Sequence, residues 1–320
     1  MNISVQGCGR WGSFIAWYLD SIGHNVCLWG RPTSSNLKTL KEKRSNKYLS
    51  LPDSIKITDD LNESVAFADT VVISISAQEM RSHLKMMLSE DYENKVIVLC
   101  MKGIEDVSGL RLTEVVAEVL GEDIKTAVWV GPGHVQDFIK GIPNCMVIDS
   151  SDPAVIEHLV NEFNSDLIRF YYGSDLIGSE IGAAAKNVIG IASGILDGLN
   201  LTSLKGALMA RGAREISRLI RAMGGNELTA YGLTHLGDYE ATVFSPYSHN
   251  RMFGESFVKG EHFDSLAEGV ATSSAMMKLK EKYDTELPIC TAVYDVVIGS
   301  KDAEEALTDL FLRRIKGEFS

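Results

Sequence analysis

Acid outweighs base in this chain: 31 lysines and arginines stand against 43 aspartates and glutamates, a formal net charge of −12 over 320 residues. That deficit of positive charge excludes general electrostatic binding to nucleic acid or to an anionic lipid surface, although a local basic patch can still hold a phosphate. Cysteine is also scarce. The five (Cys8, Cys27, Cys100, Cys145, Cys290) are odd in number, far apart and never in C-x-x-C spacing. Free thiols in a reducing compartment are therefore expected, not a disulfide framework. No apolar run reaches the length of a membrane span, and the N-terminus lacks the basic flank and apolar core of a signal peptide. A cytoplasmic protein without stable membrane insertion is the expectation. The seven histidines are scattered without metal-ligand spacing, and no serine or cysteine nucleophile motif occurs. No metal site is expected.

What is present reads as a soluble enzyme. Hydrophobic residues make up 45% and charged residues 23%, enough apolar material for a sizeable core and a length that suits two domains. Over the first 172 residues, short β-branched or aromatic segments (2–6, 26–29, 70–75, 96–99, 127–130, 146–148 and 167–171) alternate with helical stretches. Their near-continuous apolar runs predict strands buried on both faces of a parallel sheet. After Gly173 the strands stop, and the remainder reads as helices with a partly irregular stretch over 231–257. The fold class predicted is α/β: a Rossmann-type doubly wound sheet over 1–173, then an all-α domain over 174–320.

Two motifs carry chemistry. Gly7-Cys8-Gly9-Arg10-Trp11-Gly12 follows the first strand at once and opens an amphipathic helix. The first glycine permits a tight turn, the second lets backbone approach a pyrophosphate, the third allows close helix–strand packing, and free N–H groups at the helix start face the anion. Gly7, Gly9, Arg10, Trp11 and Gly12 are thus the candidate dinucleotide contacts. The second strand ends Leu28-Trp29-Gly30-Arg31 without the acidic residue that holds an NAD ribose, and Arg31 suits a 2′-phosphate. NADP, with NAD as the alternative, is the cofactor expected.

The second motif is a row stepping by four along a helix: Gly178, Gly182, Lys186, Gly190, Gly194, Gly198. Residues four apart are neighbours on a helix surface. Each interior glycine costs about 0.8–1 kcal/mol against alanine, so the row needs a reason. Close approach of another backbone or a ligand supplies one. A lysine in such a cleft is open to pKa tuning for proton transfer; a packing row with a snorkelling lysine is the alternative. Lys102, after the strand at 96–99, lies where open α/β sheets bind ligands. Asp238, Thr242, His249, Asn250 and Arg251 form a polar cluster within the helical part. A buried aspartate can orient a buried lysine, and Thr, Asn and Arg together can hold a phosphate.

Together these segments resemble the bacterial NAD(P)-dependent glycerol-3-phosphate dehydrogenases, almost end to end and in order. The resemblance rests on Gly7–Gly12 and on Leu28–Arg31, Lys102–Glu105 and Glu180–Leu199 with its Lys-Asn pair. It continues in Gly232–Asp238 (Gly-Leu-x-x-Leu-Gly-Asp) with Thr242, then Asn250 with Phe253 and Gly254, and Glu268–Val270. It implies reversible reduction of dihydroxyacetone phosphate to sn-glycerol 3-phosphate, feeding phospholipid synthesis. It further implies Lys186 as general acid and base, Asp238 as its orienting partner, Lys102 as a third catalytic residue that also contacts the substrate, and further substrate contacts from Asn187, Thr242 and Asn250. Glu268 would lie beside the nicotinamide, and a homodimer is the assembly expected. Two positions depart from the pattern: His249 stands where the family has arginine, leaving His249 or Arg251 for the phosphate, and Gly133 stands where it has serine. A related reductase acting on another hydroxy or keto acid is the competing reading, and a cofactor sensor without catalysis a more distant one.

Overall fold

The structure, a computed structural model, describes residues 1–88, 92, 94–315, 317 and 318. Contacts divide the chain into two units: residues 1–101 with 112–174, and residues 102–111 with 175–320. The segment after the fifth strand thus groups with the second unit, although the change from strands to helices near residue 173 is where the sequence places it. Each unit has its own apolar core.

The first unit is built on one eight-stranded sheet, with strands β1 (Asn2–Gln6), β2 (Asn25–Trp29), β3 (Lys56–Thr58), β4 (Thr70–Ile73), β5 (Val96–Leu99), β6 (Lys125–Val130), β7 (Asn144–Ser150) and β8 (Ile168–Tyr172). Their spatial order is β3-β2-β1-β4-β5-β6-β7-β8. Every neighbouring pair is parallel except β6 with β7, which run antiparallel. The helices are α1 (Arg10–Ser21), α2 (Ser35–Lys43), α3 (Leu61–Phe67), α4 (Met80–Met86), α5 (Leu112–Leu120), α6 (Val135–Phe138) and α7 (Pro153–Phe163). Strand β4 is buried along its whole length, as expected where side chains on both faces leave water.

Three features go beyond the sequence reading. β3 is an edge strand of three residues, too short for an alternation signal. α3 is a short helix whose start is set by Asp60, which accepts a hydrogen bond from the Glu63 amide. The β6–β7 connection contains only the four-residue α6, and without a full crossover helix the chain returns antiparallel.

The second unit is helical: α8 (Leu176–Gly198), α9 (Lys205–Ala222), α10 (His249–Val258), α11 (Glu268–Lys282), α12 (Pro288–Val297) and α13 (Ala303–Leu312). α8 is its axis, buried without a break from Gly178 to Leu196. The stretch between α9 and α10 is irregular, as expected. It forms 3₁₀ turns at Glu227–Tyr231 and Leu236–Asp238 and one π turn at Glu240–Phe244. Among the described residues, no helix is long and apolar enough to cross a membrane.

Candidate active site

The glycine row on α8 is the seat of the segment 229–258. A Cβ at Gly178 would lie 2.7 Å from Thr229 Cβ, at Gly182 3.0 Å from His235 Cβ, and at Gly190 2.9 Å from Thr242 Cγ2. At Gly194 it would fall 1.9 Å from the Arg251 carbonyl oxygen, and at Gly198 2.2 Å from Val258 Cγ2. The close approach that the row demanded is therefore that of another segment, by its backbone at Gly194 and mainly by side chains elsewhere, and it brings side chains to the one non-glycine member, Lys186.

Lys186 is 8% exposed and Asp238 fully buried. The lysine Nζ lies 2.9 Å from Asp238 Oδ2 and donates a 2.8 Å hydrogen bond to Thr242 Oγ1. Lys102 Nζ reaches the same carboxylate oxygen at 2.6 Å. The other oxygen, Oδ1, is buried and receives no hydrogen bond from the described residues. Burial is the largest influence on Lys186 and pulls its pKa down to about 8; Asp238 opposes that pull, and the like charge of Lys102 adds to it. The π turn places Thr242 on the same side as Asp238. Such turns interrupt regular helices at functional sites.

Lys102 is brought in by a loop tied to α8. The Asn187 amide donates to the Lys102 carbonyl at 2.7 Å, and Arg111 pairs with the buried Glu180 at 2.6 Å. Asn250 holds the start of α11 by accepting from the Gly269 amide at 2.9 Å, and a Cβ at Gly269 would lie 2.6 Å from the Asn187 carbonyl oxygen. Asn187, Asn250 and Glu268, which opens α11, are thus neighbours. His249 is the first residue of α10, half-buried, with Nδ1 3.3 Å from the Leu266 carbonyl.

Arg251 lies among acidic and carbonyl partners. Its guanidinium lies 2.7 Å from Asp197 and 3.0 Å from Glu255, and its Nε donates to the Ser245 carbonyl. Lys205, itself buried, shares Asp197 at 2.7 Å. The arginine is thus held by partners within the protein. Nothing in the sequence near Arg251 pointed to Asp197, which lies 54 residues earlier. Also unforeseen was His235, a fully buried histidine on the segment that carries Asp238.

In the first unit the glycine loop fits a pyrophosphate. Gly7 has φ +117°, and a Cβ there would strike the Ser74 carbonyl oxygen at 2.1 Å; at Gly12 it would strike the Gly7 carbonyl oxygen at 1.8 Å. Above Gly9 there is open space, and Gly9 begins α1 with no side-chain cap. Uncapped amide donors and room for an anion are what a dinucleotide needs there. Trp11 packs on Phe14 and Phe138 at 5.3 and 6.2 Å between ring centroids. Arg10 lies 6.0 Å from the Tyr48 ring. Arg31 is exposed and pairs with Glu79 at 3.4 Å. Gly133, at φ +150°, leaves no room for the family's serine: a Cβ would meet the Phe138 ring at 2.4 Å. Among the described residues no cluster could hold a metal ion.

A glycine-loop α/β unit joined to a helical unit with a buried lysine–aspartate pair defines a dinucleotide-dependent dehydrogenase of two-unit type. The models for the NAD-dependent glycerol-3-phosphate dehydrogenase N-terminus and C-terminus match residues 2–156 and 175–308. The chain belongs to that family. It is 35% identical to glycerol-3-phosphate dehydrogenase [NAD(P)+] of Pelodictyon phaeoclathratiforme, over 99% of each chain. It is 37% identical to that of Fusobacterium nucleatum, over 99% of this chain and 98% of the relative. The crystal structure of glycerol-3-phosphate dehydrogenase from Coxiella burnetii superposes with a TM-score of 0.90 at 27% identity, covering 97% of this chain and 98% of the other.

Proposed function

We propose that this enzyme reduces dihydroxyacetone phosphate to sn-glycerol 3-phosphate with NADPH or NADH, and runs the reaction in reverse. The observation that carries the mechanism is the buried Lys186, held between Asp238 and Thr242. In reduction, the Lys186 ammonium donates a proton to the substrate carbonyl oxygen as negative charge develops there; in oxidation, the neutral amine takes the hydroxyl proton. Bound nicotinamide supplies or accepts the hydride. Asp238 Oδ2 orients Lys186 and Lys102 together, while Oδ1 suits a substrate hydroxyl or a water. Lys102, Asn187, Thr242 and Asn250 bind the substrate, and His249 rather than Arg251 meets its phosphate. Gly7, Gly9, Arg10, Trp11 and Gly12 cradle the pyrophosphate, Arg31 meets the 2′ position, and Glu268 lines the nicotinamide side. The protein acts as a cytoplasmic homodimer and binds no nucleic acid.

The deciding experiment follows NADPH and NADH oxidation by the purified protein with dihydroxyacetone phosphate or unphosphorylated dihydroxyacetone. Rapid turnover with the phosphate alone is expected. Equal turnover of both, or turnover only with another keto acid, would transfer the reading to a related reductase. Light scattering on the eluting peak of a sizing column should report twice the chain mass; a monomer would remove the dimer from the reading.

A further inference from the structure

His235 occupies one of the two open positions in the Gly-Leu-x-x-Leu-Gly-Asp segment, so the family pattern assigns it nothing. Yet it is fully buried, as are Tyr239 and Asp238. Its Nδ1 lies 2.8 Å from the Gly182 carbonyl oxygen and its Nε2 lies 2.7 Å from the Tyr239 hydroxyl. A carbonyl oxygen can only accept, so Nδ1 must carry the proton; a neutral ring then accepts the tyrosine hydroxyl's hydrogen at Nε2. Both ends of this chain have glycine seats. Gly182 leaves space beside His235 and Thr234, and a Cβ at Gly212 would lie 3.1 Å from the Tyr239 hydroxyl.

The ring joins the two elements that make up the proton-transfer pair. Gly182 is one helical turn before Lys186 on α8. On the other side, the His235 carbonyl accepts the Asp238 amide at 3.0 Å and so starts the turn that aims the carboxylate. We propose that His235 is a positioning residue for the reaction: its neutral imidazole ties α8 to the Asp238 turn and so fixes the Lys186–Asp238 separation. This rests on the reading of Lys186 as the proton donor.

The charge state fits that task. The charged groups around the ring are Lys186 from α8 and Asp238 from its own turn, with Lys102 sharing the same carboxylate. Burial, the largest influence, holds the imidazole near a pKa of about 4, and Lys186 presses it the same way. An imidazolium would place a third cation against one carboxylate. A neutral ring links the elements without adding charge, which a lysine or arginine at 235 would not do.

The test compares wild type with H235A, H235N and Y239F, the last two being milder changes in case H235A does not fold. H235N keeps an N–H to aim at Gly182; Y239F removes only the donor to Nε2. For H235A, kcat for dihydroxyacetone phosphate reduction should fall about 10–100-fold, the order expected when a catalytic group is displaced by about an ångström. KM and NADPH binding should stay within about 3-fold, because no residue placed in either binding set is removed. The pH midpoint of kcat should rise toward the ordinary lysine value in H235A and Y239F, since a looser site readmits water to Lys186. H235N should recover most of kcat.

A parallel measurement needs no turnover: the NMR titration of the Lys186 side chain, assigned by its loss in Lys186→Arg, should show the same rise in H235A and Y239F. If wild type fails to reduce the substrate but this resonance still shifts in the variants, the functional reading falls and the positioning role stands. An unmoved midpoint in both kcat and NMR for Y239F and any folded H235A overturns the proposal. So does an equal loss of cofactor binding and kcat, the mark of a merely structural residue.

Discussion

At the scale of single residues, the lysine governs. Because burial brings Lys186 to about 8, its two protonation states exchange within an accessible pH range. In the proposed mechanism the ammonium is the acid, so kcat for ketone reduction should fall as pH rises through about 8. In the same mechanism the free amine is the base, so kcat for alcohol oxidation should rise through the same pH. Steady-state rates in both directions check this, and parallel profiles would contradict it. His249 makes a separate prediction about phosphate affinity. H249A should raise KM for dihydroxyacetone phosphate roughly 10-fold with kcat nearly unchanged, the loss of one charge-assisted hydrogen bond, and steady-state kinetics check it. Arg31 is exposed and its ion pair with Glu79 is long, at 3.4 Å, so a cofactor 2′-phosphate competes for it at little cost. Replacing it with Asp should lower the NADPH/NADH ratio of kcat/KM about 10–100-fold, the value of one such contact. An unchanged ratio would show the 2′ position to be ignored.

At the scale of elements, the α8 row tests the packing argument directly. Gly194→Ala would thrust a methyl to within 1.9 Å of the Arg251 carbonyl oxygen, so it should cost about 1–3 kcal/mol through overpacking. Gly206, at the start of α9, faces open space: a methyl there would meet nothing within 4 Å. Gly206→Ala should be neutral to stabilising by up to about 1 kcal/mol through helix propensity. Urea unfolding of the two variants checks the contrast; equal effects would mean that the α8 glycines are not packing seats. The row's period, and its need for a close neighbour, were legible in the sequence because both follow from helical geometry. Which segment fills it was not. The segment 229–258 arrives through 3₁₀ and π turns that have no period to read. β3 escaped for a related reason: three residues hold less than two alternations, and its strand identity comes from pairing with β2.

At the scale of the whole molecule, the glycine loop and the lysine pair are built on separate cores. Lys186→Ala should therefore lose at least about 10³-fold in kcat while NADPH titration gives an unchanged Kd; loss of both together would contradict the assignment of proton transfer to this pair. The chain's family, its α/β-then-helical order, the glycine loop at Gly7–Gly12 and the candidacy of Lys186 were all determined by the sequence alone. Each is written within a few turns or strands of local pattern, where spacing maps directly onto one face. Tertiary structure decided the rest: the antiparallel β7, the grouping of 102–111 with the helical unit, the capture of Arg251 by Asp197, and the tie from His235 to Gly182. The last three depend on residues about 50 or more positions apart meeting in a buried, low-dielectric space. There the strength of a charge or hydrogen bond is set by what surrounds it, and no local pattern records that.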